Sequence, residues 1–278
     1  SMCFVVMSYA ATPSRFLKAL LRNMSLSMTA TKTALVTGAA KRLGKHIALS
    51  LAAEGWDIAL HYHRSEKDAL ATATRIRELG RRCELFCADL QQQDAGQQLM
   101  QAVITRLGPV QLLVNNAARF EYDSAADFSS ECLQEHLGSN LIAPLQLIQA
   151  LGAQKPQKTP AVAINLLDQK LWGYNPDFFS YTLCKAALKS ATIMMAQALA
   201  PHVRVVGIAP GLTLPSHLQS PEDFARTHRL SPLGHGSSVD DICRTVLYVV
   251  NTPSITGSCI VVDGGQHLLG LQRDFSLL

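Results

Sequence analysis

No Cys-x-x-Cys pair occurs in this sequence. None of its seven cysteines (Cys3, Cys83, Cys87, Cys132, Cys184, Cys243 and Cys259) stands beside a histidine cluster at zinc spacing. No metal site is therefore expected. The odd count and irregular spacing argue against a disulfide framework and for reduced thiols in a cytoplasmic protein. Cys184 adjoins Lys185, as a reactive thiol would, but a small residue packed on a helix is the reading adopted. No apolar run reaches transmembrane length, and Phe4 to Met7 is too short for a signal-peptide core, so no membrane partner is expected. The formal charge of +4 is mild and the basic residues are scattered, which leaves no nucleic-acid footprint. No Pro/Gly/Ser-rich linker divides the middle. The 278 residues, 48% hydrophobic and 17% charged, are read as one large core.

The N-terminus differs from the rest. Ser1-Met2 reads as a cloning scar. Residues 13–28 carry Arg15, Lys18 and Arg22 with Leu17, Leu20 and Leu21, and no acid. That pattern suits an organelle address or a surface-lying amphipathic helix. A loose, flexible extension over residues 1–31, from a start placed upstream of Met24 and Met28, is the expectation adopted.

From Lys32 onward, short apolar runs alternate with helical periodicity. Strands are expected at Thr33–Thr37, Asp57–Tyr62, Cys83–Leu90, Val110–Ala118, Ala161–Leu167, Val203–Gly211 and Ser258–Gly265. Between them, helices are expected from Leu43 to Gly55, Glu66–Leu79, Ala95–Leu107, Ser129–Leu151, Phe178–Ala200 and Val239–Val250, with a polar loop before the last. Strands buried on both faces, each followed by a helix, predict a doubly wound α/β fold with seven parallel strands and helices on both faces. Ligands of such sheets sit beyond the carboxyl ends of the strands.

The unusual residues fall at those ends. TGAAKRLGKHIA places Gly38 after strand one and Gly44 at the start of the first helix, where a pyrophosphate would meet backbone amides and a helix N-terminus. The middle glycine of G-x-G-x-x-G is missing, and Arg42 stands in its place. Strand two ends in HYHRS (His61 to Ser65) rather than in the acid that would bind a free ribose 2′-hydroxyl. His63, Arg64 and Ser65 suit a 2′-phosphate, so the expected cofactor is NADPH/NADP. A solvated basic loop is the plain alternative.

With Thr37-Gly38, Asn115-Asn116-Ala117, Asn140 in the next helix and Tyr181-x-x-x-Lys185, the chain resembles the short-chain dehydrogenase/reductase family over about residues 32–268. Asp89 in CADL, Pro210-Gly211 and the closing ITGSCIVVDGG fit too. Within the family it is similar to pteridine and dihydromonapterin reductases. The shared features are the T-G-x-x-x-R-x-G turn, the HYHRS ending, Phe120 after the Asn-Asn-Ala turn, and Asp168 where most members carry Ser. Pro232-Leu233-Gly234 and Val262–Gly265 extend the likeness. Arg119 before Phe120, Trp172, Asn175-Pro176 and a tail running thirteen residues past Gly265 depart from it.

The resemblance implies a single Rossmann-type domain at residues 32–268, followed by a tail at 269–278. It implies cofactor contacts from Gly38, Lys41, Arg42, Leu43, Gly44, His63, Arg64, Ser65, Asp89, Leu90, Asn116, Ala117, Ala118, Tyr181, Lys185, Pro210 and Gly211. Substrate contacts would come from Arg42, Phe120, Asp168, Tyr181 and Leu212, and catalysis from Asp168, Tyr181, Lys185 and Asn140. Asn140 would position a water behind Lys185, and Phe120 would stack on a flat substrate. A homotetramer packed through the Tyr181 helix and the helix before it is also implied.

On a helix, residues i and i+4 share a face, so Tyr181 and Lys185 project together. The ammonium is expected to draw the phenol pKa down toward neutrality. A carboxylate cannot donate to a carbonyl oxygen unless protonated, but it can accept from ring N–H groups and carry a proton. Asp168 therefore suits a heterocycle better than a simple ketone. The expected activity is hydride transfer from NADPH to a C=N bond of a pterin or dihydrofolate-like small molecule. An NADP-dependent carbonyl or alcohol oxidoreductase on another polar substrate stands as the alternative, as does a non-catalytic NADP-binding regulator.

Overall fold

The apolar runs become seven strands of one sheet in the computed structural model, which describes residues 32–215 and 219–278. The expectations for residues 1–31 lie outside the described residues. The strands are β1 (Lys32–Val36), β2 (Trp56–Tyr62), β3 (Cys83–Cys87), β4 (Leu112–Asn115), β5 (Ala161–Leu166), β6 (Val203–Pro210) and β7 (Cys259–Val262). They lie in the order β3-β2-β1-β4-β5-β6-β7, and every pairing is parallel. Alternate side chains feed opposite faces. In β1, Ala34 and Val36 enter one buried cluster and Leu35 the other. In β5, Val162 and Ile164 part from Ala161 and Ala163 in the same way. Two cores, one on each face, make the sheet's continuous hydrophobicity a requirement.

The helices are α1 (Arg42–Ala53), α2 (Glu66–Glu78), α3 (Ala95–Leu107), α4 (Ser130–Leu137), α5 (Ala143–Gly152), α6 (Phe179–Leu199), α7 (Pro221–Arg229) and α8 (Val239–Asn251). The helix expected over Ser129–Leu151 is interrupted by a π-helical turn at Gly138–Ile142. Pro144 has no N–H to offer the Asn140 carbonyl in the ordinary i→i−4 pattern, and the wider turn accommodates that loss. The polar loop expected before Val239 contains α7. Its signals are ordinary ones: the Ser220 hydroxyl accepts from Asp223 N at 3.1 Å, Pro221 occupies the first turn with Glu222 and Asp223, and Arg226, His228 and Arg229 close the last.

The strand order reverses direction between β1 and β4, which opens a crevice at their carboxyl ends. A buried ladder pins the neighbouring ends: Asn115 Nδ2 donates to Asn165 Oδ1 at 2.9 Å, and Asn165 Nδ2 donates to Thr192 Oγ1 on α6 at 2.9 Å. No helix among the described residues is long and apolar enough to cross a membrane.

Candidate active site

Two cavities meet at the crevice, one of about 540 Å³ and one of about 470 Å³. Arg42, Leu43, Asn116 and Ala118 line both. The larger begins at the turn after β1. There, Gly38 is held at φ +63°, and a Cβ on Gly44 would lie 2.4 Å from Gly38 O and 2.5 Å from Asn116 Nδ2. Only glycine fits that approach. Thr37 Oγ1 accepts from Asn116 N at 2.9 Å and Ala117 N at 3.0 Å, and Asn116 Nδ2 returns to Thr37 O at 2.8 Å. The Asn-Asn-Ala segment is thus laced to the turn. Arg42 takes the left-handed conformation, φ 53°, where a glycine was missed in the motif, and its Nη2 donates to Pro215 O at 2.8 Å.

The N-terminus of α1 has no side-chain cap and no acid in its first turn. Its free amides and dipole favour an anion. Lys41, Leu43, His63, Arg64, Ser65, Asp89, Leu90, Ala117 and Ala118 line the same cavity. Asp89 Oδ2 lies 3.9 Å from His63 Nε2. The cavity joins an anion-binding turn to three polar or basic side chains one strand away, and this arrangement fits a phosphorylated dinucleotide. His61 was grouped in HYHRS with the imidazoles suited to a 2′-phosphate, and its ring nitrogens are instead committed to the backbone. It is buried, accepts from Gly38 N at Nδ1 (3.1 Å), and so presents Nε2–H to Ala88 O (3.1 Å). Burial pushes its pKa down to about 4, which keeps it neutral and ties the turn to the ends of β2 and β3.

The smaller cavity brings Phe120, Asp168, Tyr181, Lys185, Pro210, Gly211 and Leu212 together. Tyr181 Oη donates to Asp168 Oδ2 at 3.1 Å, and Lys170 N donates to Asp168 Oδ1 at 2.8 Å. Lys185 Nζ donates to Leu166 O at 2.6 Å and lies 5.7 Å from the centre of the Tyr181 ring. Burial, and secondarily Asp274, pushes the Asp168 carboxyl up to about 6. Burial lowers Lys185 to about 8, with Asp168 opposing. Burial and the Asp168 carboxylate push Tyr181 well above the usual phenol range. That corrects the expected downward pull of Lys185: the phenol is a neutral donor whose nearest charged partner is an acid.

Asn140 lines neither cavity. Its side chain is fully buried and committed to the Arg119 backbone, accepting from Arg119 N at 2.8 Å and donating to Arg119 O at 2.9 Å. It shapes the segment leading to Phe120. Phe120 stacks on Phe178 (4.1 Å between centres, 17° between planes) and meets Tyr181 edge-on at 4.8 Å. One face of Phe120 is therefore already covered, and its edge contact braces the phenol. Arg119 Nη2 pairs with Glu135 at 2.7 Å, beside the larger cavity.

The tail supplies a wall that sequence reasoning left without a role. Asp274, Phe275 and Ser276 line the smaller cavity, and Phe275 and Ser276 are buried. Arg273 Nε pairs with Asp177 at 2.9 Å, Arg226 donates to the Leu278 carbonyl, and Gln219 Nε2 donates to Phe275 O at 3.1 Å. No local pattern in the sequence marks these contacts. Gln266 is the other residue missed: buried, it accepts from Leu212 N at 2.8 Å and donates to Ser231 Oγ at 3.0 Å, holding the loop after β6.

Comparison with known proteins agrees with this geometry. The family profile described as short chain dehydrogenase matches residues 32–224. Pteridine reductase 1 of Leishmania tarentolae is 34% identical over 298 residues, covering 88% of this chain and 99% of the relative. Among solved structures, FolM alternative dihydrofolate reductase 1 from Brucella canis, complexed with NADP, superposes with a TM-score of 0.83 at 41% identity, covering 87% of this chain and 96% of that one. The promiscuous reductase LugOII, which catalyses keto-reduction at C1 during lugdunomycin biosynthesis, superposes with a TM-score of 0.77 at 29% identity, covering 85% and 98%.

Proposed function

The chain belongs to the short-chain dehydrogenase family, and from that premise we propose that it is an NADPH-dependent reductase acting on a C=N bond of a pterin or dihydrofolate-like heterocycle. The observation that carries this reading is the 3.1 Å hydrogen bond from Tyr181 Oη to Asp168 Oδ2 in the cavity that adjoins the phosphate-binding turn. The pteridine reductase and FolM relatives support it.

When bound along the larger cavity, NADPH would supply the hydride. Lys41, the amides opening α1, and His63, Arg64 and Ser65, which line that cavity, would hold its phosphates, with Arg64 the partner for the 2′-phosphate. Lys185, fixed by Leu166 O, stands on the Tyr181 face of α6, where it would hold ribose hydroxyls. Tyr181 gives its phenol proton to the substrate nitrogen. Asp168 carries a proton of its own below about pH 6 and restores the phenol through the Oη–Oδ2 hydrogen bond. Above that pH the ionised carboxylate accepts from ring N–H and amino groups instead. Phe120 and Phe178 keep the phenol ring in place, and Arg42 reaches the carbonyl edge of the substrate.

A second reading has one observation behind it. A protonated Asp168 donates to a carbonyl oxygen as a serine would, and LugOII is a keto-reductase. A substrate panel with NADPH, followed at the nicotinamide absorbance band, tests both. Oxidation is expected with dihydrobiopterin, dihydromonapterin or dihydrofolate and not with simple ketones. Turnover of ketones alone sinks the pterin assignment, and NADPH binding without oxidation by any of these compounds sinks the enzyme reading.

A further inference from the structure

Lys170 is among the largest side chains in the described interior that are essentially sealed from solvent, 1% exposed, and it is charged. A buried ammonium is costly unless paired and hydrogen-bonded. Lys170 Nζ donates to the Asp177 carbonyl and pairs with Asp274 Oδ2 at 3.2 Å, 104 residues further along the chain. The same residue's backbone N–H donates to Asp168 Oδ1 at 2.8 Å. One residue thus grips the site carboxyl with its amide and the C-terminal tail with its ammonium. Asp274 is itself fixed: its N–H donates to Asp177 Oδ2 at 2.8 Å, and its Oδ1 accepts from Ser276 N at 2.9 Å and Ser276 Oγ at 2.7 Å. It lines the cavity that holds Asp168.

We propose that Lys170 and Asp274 are a positioning pair for Asp168: the ion pair that fastens the tail to the turn after β5 also decides whether the site carboxyl carries a proton. This rests on the reading of Asp168 as a proton carrier. A buried ion pair seldom stabilises a fold more than apolar residues of the same size would, so stability alone does not explain it. Its placement does. The groups that face Asp168 are Lys170 on its own turn, Tyr181 and Lys185 on α6, Arg42 on α1, and Asp274 on the tail, with Asp177 behind Lys170. Lys170 favours the carboxylate and Asp274 opposes it. Burial is the largest influence and keeps the acid form, with the two charges opposing one another beside it. Removing either partner leaves the other uncompensated, so the two removals act on Asp168 in opposite directions.

The test uses the full-length chain. The infrared carbonyl stretch of protonated Asp168, isolated by difference against Asp168→Asn, is titrated in wild type, Asp274→Asn and Lys170→Met, alongside the pH profile of kcat with NADPH and dihydrobiopterin. Asp274→Asn is expected to lower the midpoint by about one unit, a tenfold loss of proton affinity, and Lys170→Met to raise it by a similar amount. Midpoints that stay within about 0.3 unit of wild type, or that move in the same direction, overturn the proposal. If Lys170→Met does not fold, Asp274→Asn decides alone, because its amide oxygen still caps Ser276; an unmoved midpoint refutes the pair. Shifted infrared midpoints in a protein that reduces no dihydropterin would sink the proposed function and leave this inference standing. Turnover with unmoved midpoints would do the reverse.

Discussion

Replacing Asp168 by Asn separates what the carboxyl does for chemistry from what it costs the fold. Asparagine keeps the shape and one acceptor, so the Lys170 N–H retains its partner, while the amide nitrogen faces Tyr181 Oη. What is lost is the ability to hold and release a proton. In wild type the carboxyl is raised from an ordinary 3.8 to about 6, so the site disfavours the ionised form by about 3 kcal/mol relative to water. At pH 7 about one carboxyl in eleven holds its proton, and at pH 8 about one in a hundred. If Asp168 resupplies Tyr181, kcat falls roughly tenfold per unit above pH 6. In Asp168→Asn, kcat is expected to drop by about 10²–10⁴-fold at pH 6 and to lose that dependence. NADPH affinity should be unchanged, since the cofactor turn is untouched.

Stability should move the other way. The folded chain binds this proton more tightly than the unfolded chain does. Wild type therefore loses stability as pH rises from about 4, where the unfolded carboxyl ionises, through about 6, where the folded one does. Asparagine escapes that loss, so its advantage in urea unfolding grows across this window toward a ceiling of about 3 kcal/mol and is smallest below pH 4. A variant with wild-type kcat, or a stability difference that does not change with pH, would refute the reasoning.

Three further outcomes are expected. Arg64→Asp places an acid where the 2′-phosphate is proposed to sit, and should reverse the preference for NADPH over NADH by about 10²-fold or more, about 3 kcal/mol, measured as a ratio of kcat/KM; an unaltered ratio puts the phosphate elsewhere. Arg204→Met strips the buried guanidinium that donates to the Val249, Val250, Thr252 and Ile255 carbonyls at 2.7–3.3 Å, and should cost about 3–5 kcal/mol in urea unfolding with NADPH affinity retained; a loss below about 1 kcal/mol means the C-terminal end of α8 finds other partners. A homotetramer is expected in light scattering, because Leu183, Ile193 and Met194 on α6 and Ile142 beside it are 45–67% exposed; a monomer at assay concentration excludes it.

The succession of strands and helices along the chain and the glycine-bearing turn were legible because local chemistry determines them. Ala34, Leu35 and Val36 are apolar because both sheet faces are covered, and Gly44 is glycine because any Cβ would strike Gly38 O. The break at Gly138–Ile142 was legible in principle through Pro144, but the run of apolar residues around it carries a helical period on either side and masks the slip. The α7 helix was obscured by its polarity, although Ser220, Pro221 and the charge order of its turns state its start and end. The direction of the Tyr181 pKa could not be read from a Tyr-x-x-x-Lys spacing. Spacing places the ammonium, but the phenol responds to burial and to a hydrogen-bonded carboxylate supplied by a different element. The tail is the extreme case. Nothing local marks Lys170 or Asp274, which stand 104 positions apart and become ionic partners only once the chain between them folds. A charge in sequence looks exposed by default; the fold buries Lys170 and leaves Asp274 half-buried in the cavity wall, and that placement is what gives the pair its proposed hold over Asp168.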